Sequence, residues 1–353
     1  MKQRKKLVTE RLVAAQFQNG IGNFIMMTPA ITALANHNDA KVDIVLDRSW
    51  NDSRRQGIEQ FCNEWDLVNE VIEFQKGFDE KKYEALFYAY HGESSESHTF
   101  FKNNAKIESD HANWRSEKIN EVDYYMNMIY KMGYRGSVPP LKFVTGSTAN
   151  LGSKRLNDKE YFKVGFCNGF FAGSKWQWER KAWPHFERLA FLLRKYYPKG
   201  KMRIFLFGKG EVEKKWADKF TDDKLVFSLV NRTDILGAAS CIRCMDLFIT
   251  TDTGLMHIAD AIGVPMIALF GPTLVSKNGP YQMNNRIVRS PLPCAPCQQN
   301  PLFTICKETD RCMKALEPGL VMAAVRTYVP QLIKMGRMYC NEKTQEVKSC
   351  LGL

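Results

Sequence analysis

Hydrophobic residues along the chain fall in short blocks, each closed by a turn bearing glycine or aspartate and followed by a stretch with helical spacing. Leu12 to Phe17 is a run of the buried-strand type, Asn19-Gly20-Ile21-Gly22-Asn23 is the turn that ends it, and Phe24 to Asn36 has the period of a helix, bent near Pro29. Val42 to Leu46 and Ala85 to Tyr90 predict two further strands. His91 to Asn120 is polar and aperiodic, a long loop of the kind that is functional or mobile in a compact domain. After about residue 150 the pattern restarts. Lys163–Cys167, Met202–Phe207, Asp246–Thr250 and Val264–Phe270 read as strands, with one helix from Trp183-Pro184 to Tyr197 and another opening at Gly254.

Strands that alternate with helices predict parallel sheets covered on both faces. The restart predicts two of them. The expected fold class is α/β, two Rossmann-like parallel-sheet domains facing a cleft: an N-terminal domain over 1–155, a C-terminal one over 156–325, and a helix and tail over 326–353. Towards the C-terminus Leu320 to Leu332 has amphipathic spacing broken by Pro330, which predicts a helix that packs by one face.

Composition narrows the class. Of 353 residues 44% are hydrophobic and 25% charged, enough to bury two cores in a soluble protein. No apolar run approaches the ~18 residues that cross a bilayer, and Glu10-Arg11 stand where a signal peptide would carry its apolar segment. The expected location is cytoplasmic, which also predicts that most of the ten cysteines are reduced.

The net charge of +12 is uneven: residues 1–150 hold 19 Lys+Arg against 20 Asp+Glu, residues 151–353 hold 31 against 18. A basic excess in one half predicts either a solvated surface or an anionic partner, whether nucleotide diphosphate, phosphorylated glycolipid, membrane surface or nucleic acid. No recognised nucleic-acid motif accompanies the charge, so nucleic acid is not expected as a partner.

The segment Asp246 to Ala261 carries the clearest chemistry. Thr251, Asp252, Thr253 and Gly254 fall at the carboxyl end of a strand and the start of a helix, where ligands of parallel sheets gather and free N–H groups favour phosphate. Gly254 lets a diphosphate approach the backbone, and His257 lies one turn on, on the face of Thr253. The structural alternative is that Asp252 or Thr253 caps the helix and His257 is a hydrogen-bonded core histidine.

Together with Gly263-Val264-Pro265 and Leu269-Phe270-Gly271-Pro272-Thr273, this segment resembles the hallmark of the heptosyltransferase-type glycosyltransferases. Gly20-Ile21-Gly22-Asn23 with Thr28-Pro29-Ala30 is similar to that family's first loop and helix, and Lys181-Ala182-Trp183-Pro184 to its Lys-x-Trp-Pro element. The matches run in order from about residue 10 to residue 325. The resemblance implies a GT-B architecture and inverting transfer of a sugar, heptose from an ADP-heptose-like donor, onto a lipopolysaccharide core or related surface glycan. It implies that the N-terminal domain binds the acceptor through the loop of Gly20 and Gly22. On the donor side it implies that Lys181 neutralises a phosphate while Thr251, Asp252, Thr253, Gly254 and His257 hold the nucleotide sugar. Glu211, after Gly208-Lys209-Gly210, is a further candidate for the nucleoside end. The other readings are the same fold with another sugar nucleotide, for a capsule or glycoprotein glycan, and a nucleotide-sugar-binding protein without catalysis. A glycolipid acceptor also implies peripheral contact with the inner face of the cytoplasmic membrane.

The residues bear on the mechanism independently. No Asp-x-Asp pair occurs in the chain, so the acidic clamp of metal-dependent sugar transferases is missing and no catalytic cofactor is expected. Charge on the leaving diphosphate then falls to Lys181, helix N-termini and a segment, 151–219, with 17 Lys+Arg against 7 Asp+Glu. Lys175-Trp176-Gln177-Trp178-Glu179-Arg180-Lys181 interleaves bases with aromatics that could cover a sugar or base face, or simply form a half-buried loop. Asn23 departs from the resemblance, which places an Asp general base there. An amide cannot take a proton at neutral pH. Either Asn23 only positions the acceptor while another carboxylate such as Asp47 is the base, or the reaction leans on the leaving group, or transfer is reduced or lost.

Cys294, Cys297, Cys306 and Cys312 cluster within about twenty residues and match a closed tetrahedral site in type and number. Structural zinc, reduced thiols and disulfides are the alternatives.

Overall fold

β1 (Arg11–Phe17) is the central strand of a five-stranded parallel sheet in the first of two units, Met1–Lys142. With β2 (Ala40–Leu46), β3 (Val68–Glu73), β4 (Ala85–Ala89) and β5 (Ile107–Glu108) it follows the order β3-β2-β1-β4-β5. The chain leaves β1 to one side for β2 and returns to the other side for β4, so the carboxyl end of β1 is a topological switch point. The computed structural model describes residues 11–17, 20–46, 53–74, 78–79, 83, 85–89, 107–108, 118–146, 155–156, 158, 160–170, 178–197, 201–282, 285–298 and 311–334. The expected loop over 91–120 therefore lies outside the described residues except at β5 and residues 118–120.

Three helices belong to this unit: α1 (Ile21–Asn38), α2 (Ser53–Asn63) and α3 (Glu121–Lys131). α1 starts earlier than its spacing predicts and runs through Pro29. Proline lacks the N–H that would serve the carbonyl four residues back, at Ile25. The Thr28 hydroxyl supplies it instead, donating to that carbonyl at 2.7 Å, and accepts from the backbone N–H of Lys142 at 2.9 Å. Because its buried residues surround it on most sides, from Gly22 to Ala35, α1 is a core helix.

The second unit, Phe143–Leu353, holds a six-stranded parallel sheet in the order β11-β10-β9-β6-β7-β8. Its strands are β6 (Phe162–Cys167), β7 (Met202–Phe207), β8 (Val226–Ser228), β9 (Leu247–Thr251), β10 (Met266–Phe270) and β11 (Asn285–Arg289). β6, β9 and β10 are buried at every position, as strands covered on both faces must be. The helices are α4 (Phe186–Tyr196), α5 (Glu211–Ala217), α6 (Ile235–Arg243), α7 (Gly254–Ala261), the single turns α8 (Val275–Asn278) and α9 (Arg311–Lys314), and α10 (Pro318–Lys334). α4 begins at Phe186, later than expected, after a separate 3-10 turn at Trp178–Lys181.

The terminal helix corrects the expectation that Pro330 breaks it. α10 continues through Pro330 and packs on α4, β10 and β11. Val321, Val325, Tyr328 and Val329 enter the same core as Trp183, Phe186, Leu189 and Leu193. The Trp183 indole N–H donates to the carbonyl of Leu316 at 2.8 Å, just ahead of α10.

Candidate functional site

The switch point of the second sheet lies between β6 and β9, where the chain departs in opposite directions. The residues leaving those two strands are knitted together. The Thr251 hydroxyl donates to the carbonyl of Gly169 at 3.1 Å, and Cys167 Sγ stands 3.8 Å from Thr253 Oγ1. Thr253 is the N-cap of α7, its side chain accepting from the N–H of Met256 at 3.4 Å, and Gly254 is the first helical residue. The capping alternative is thus real for Thr253. It leaves Asp252 for other work.

Asp252 faces Lys181, Nζ to Oδ2 at 3.4 Å, with side chains 15% and 8% exposed. Lys181 ends the 3-10 turn Trp178–Lys181, which Asn168 anchors to the end of β6. The Asn168 amide accepts from the N–H of Trp183 at 2.7 Å and donates to the carbonyl of Trp183 at 3.1 Å. Two hydrogen bonds from one buried side chain therefore bring a distant basic residue to the strand end. Residues 175–177 of the aromatic and basic stretch lie outside the described residues.

His257 is buried, and its Nδ1 has no hydrogen-bond partner. Burial holds the imidazole down to about 4; Asp252 pulls upward and Lys181 presses it further down. It is a neutral ring at physiological pH. A buried polar atom without a partner costs free energy, on the order of 1–3 kcal/mol, and Nδ1 of this imidazole is such an atom.

Glu211 is exposed on the first turn of α5. The carboxylate at the strand edge belongs to Glu213, a residue the sequence reasoning missed. A side chain at Gly210 would place its Cβ 3.0 Å from Glu213 Oε2, and one at Gly169 would lie 3.9 Å from Oε1. Burial raises this carboxyl, opposed by its own backbone N–H and that of Phe170. Gly210 has φ 122°, a conformation suited to glycine, and Asn231 clamps it by accepting from its N–H at 2.7 Å. The legible signal was the paired glycines before a helix start, since the inward-facing position of that first turn is 213.

In the first unit the expected loop of Gly20 and Gly22 is instead the start of α1: Gly20 is its N-cap and Gly22 its second helical residue. Half-buried Asn23 donates from Nδ2 to Glu121 Oε2 at 2.7 Å. Asp47 lies outside the described residues. Cys294, Cys297 and Cys312 are unbridged, Cys294 exposed and the others half-buried, while Cys306 lies outside the described residues. Among the described residues no three potential ligands converge as a metal site.

The second unit thus offers one edge with a cation, the Thr253-capped N-terminus of α7, a neutral imidazole and two carboxylates. Cation and helix terminus suit phosphate, and carboxylates suit hydroxyls. Residues 153–304 match the model of glycosyltransferase family 9 (heptosyltransferase). Lipooligosaccharide heptosyltransferase 2 of Campylobacter jejuni is 33% identical over 129 residues, 35% of this chain and 40% of that protein. The chain thus spans about 40% of the length of the curated relatives it matches first. The solved structure of E. coli ADP-heptose lps heptosyltransferase II superposes with a TM-score of 0.64 at 18% identity, over 91% of this chain and 99% of that one. Dodecameric iron-containing heptosyltransferase TibC, solved in complex with ADP-D-beta-D-heptose, gives 0.58 at 14% identity, over 92% and 77%. The GT-B expectation holds at the level of fold, and the heptosyltransferase-type resemblance holds over residues 153–304.

Proposed function

We propose that this chain, of the heptosyltransferase-type glycosyltransferase family through its residues 153–304, transfers a heptose from ADP-heptose to a lipopolysaccharide core or related surface glycan. The observation that carries the reading is the Lys181–Asp252–His257 grouping at the β6/β9 switch point. In this reading Lys181 and the N–H groups that open α7 meet the diphosphate, Thr251, Asp252, Thr253, Gly254 and His257 line the nucleotide sugar, and Glu213 rather than Glu211 takes hydroxyls of the nucleoside end. The acceptor hydroxyl attacks the anomeric carbon from the face opposite the diphosphate, and the carbon–oxygen bond to the diphosphate breaks in the same displacement. The developing negative charge goes to Lys181 and the helix terminus, which are held in place before the reaction and do not reorganise. Asp47 is the candidate base, and Gly20, Gly22 and Asn23 form the acceptor side.

Thermal shift with ADP, UDP and GDP, followed by turnover with the best sugar nucleotide, tests the reading. Stabilisation by ADP together with nucleotide release in the presence of heptose-free lipooligosaccharide is the expected result. Preference for UDP or GDP moves the donor to another sugar nucleotide, and binding without turnover makes the chain a nucleotide-sugar-binding protein. A glycolipid acceptor also places the protein at the inner membrane surface, and co-sedimentation with anionic vesicles checks that. Thiols at Cys294, Cys297 and Cys312 suit a soft metal such as zinc, and burial together with both neighbouring thiols pushes Cys312 up. Metal content per purified chain decides the structural role.

A further inference from the structure

The carboxyl end of β1 is the switch point of the first sheet, and α1 starts there without a side-chain cap. Asn23, in the first turn, is half-buried and so can meet a ligand, while its partner Glu121 is 1% exposed. Glu121 is the first residue of α3, whose N-cap Asn120 accepts from Val122 N–H at 3.0 Å. The carboxylate is thus held by an element remote in sequence and cannot follow Asn23 if that side chain turns.

An isolated amide can present either its NH₂ or its oxygen, since the two are nearly the same shape. A hydrogen bond to a carboxylate contributes about 1.5–3 kcal/mol, enough to bias the two orientations by more than tenfold. Nδ2 is committed to Glu121, so Oδ1 is the atom left to face elsewhere. It lies on the side of Gly20, where an added Cβ would stand 3.8 Å from it. We infer that Glu121 is a positioning residue: it fixes the Asn23 amide so that Oδ1 accepts a hydrogen bond from the acceptor hydroxyl at the Gly20–Asn23 start of α1. This rests on the glycosyltransferase reading, with the first unit binding the acceptor. Asn23 removes no proton. It sets the direction of the attacking oxygen, and the carboxyl of the pair belongs to Glu121 behind it.

Glu121→Gln keeps the shape but lets the paired amides adopt either orientation. Asn23→Asp sets two carboxylates against each other. The double variant Asn23→Asp/Glu121→Gln reverses donor and acceptor and restores one defined bond. With ADP-heptose as donor and heptose-free lipooligosaccharide as acceptor, Glu121→Gln should raise the acceptor KM on the order of tenfold, and Asn23→Asp more. The double variant should return it towards wild type, with ADP binding unchanged in all three. An unchanged acceptor KM in Glu121→Gln, or a double variant no better than Asn23→Asp, overturns the inference, because a purely structural pair would give that result. A readout without turnover is the Asn23 side-chain amide in ¹⁵N spectra. One proton should be shifted and slow to exchange in the wild type and ordinary in Glu121→Gln; identical spectra also overturn the inference. If the amide is fixed but the wild type neither binds nor glycosylates the acceptor, the glycosyltransferase reading is what fails, and the role of the pair falls with it.

Discussion

The Lys181 ammonium stands 3.4 Å from the carboxylate of Asp252, seventy-one residues further along the chain, at the meeting of two strand ends. Both groups are mostly shielded from solvent. The ammonium is thus largely withdrawn from solvent and held against the Asp252 carboxylate. On the proposed donor role, a diphosphate would meet a cation that has little ordering entropy left to lose.

Replacing that cation separates its roles. Lys181→Met should weaken ADP binding roughly 10- to 100-fold, the range expected for losing a charge-assisted contact of about 1.5–3 kcal/mol. The same change should move the His257 titration upward, because Lys181 lowers it and Asp252 raises it. Calorimetry with ADP reads the first effect and histidine NMR the second. An unaltered ADP affinity would remove Lys181 from the site.

His257 also makes stability depend on pH. Its folded value of about 4 lies below the ordinary 6.5, so the unfolded chain binds more protons between those limits. Stability should therefore rise with pH from about 4 to about 6.5 and be unaffected by this group above that range, with a span of roughly 3 kcal/mol. Urea titrations of wild type and His257→Gln across pH 4–7 should differ in slope in that window and run parallel above it.

The two glutamates of α5 should behave differently. Glu213→Gln should weaken ADP binding on the order of tenfold, since its carboxylate lies at the strand edge, whereas exposed Glu211→Ala should leave it unchanged. Equal effects would show that helix phase does not select the contact.

Tyr197 offers a control remote from ligand chemistry. Its ring stacks on Phe162 at 4.6 Å between centroids, and its buried hydroxyl has no partner. Tyr197→Phe keeps the stack and removes the orphan, so stability should stay level or rise by about 1 kcal/mol, measured by urea denaturation. A loss of more than that would reveal a partner for the hydroxyl.

What the sequence determined by itself was local. Short, mostly apolar runs such as Val42–Leu46 and Met202–Phe207 have the length and β-branched or aromatic content of covered strands, and their alternation with helical periods specifies parallel sheets. Thr253 before Gly254 could be read as a cap because capping is a matter of neighbouring residues. The family motifs, too, are contiguous stretches. Tertiary structure decided whatever joins distant segments or depends on the direction an element faces. Asn168 anchoring Trp183, and so carrying Lys181 to Asp252, is one case. Glu213 turned inward while Glu211 faces solvent is a second, and α10 running on through Pro330 into the core of α4 is a third. The bond from Asn23 to Glu121 spans ninety-eight residues. A side chain's type and spacing limit what it can do, but its partner is set by which backbones the sheet and helices bring within about 3 Å, and no local pattern encodes that.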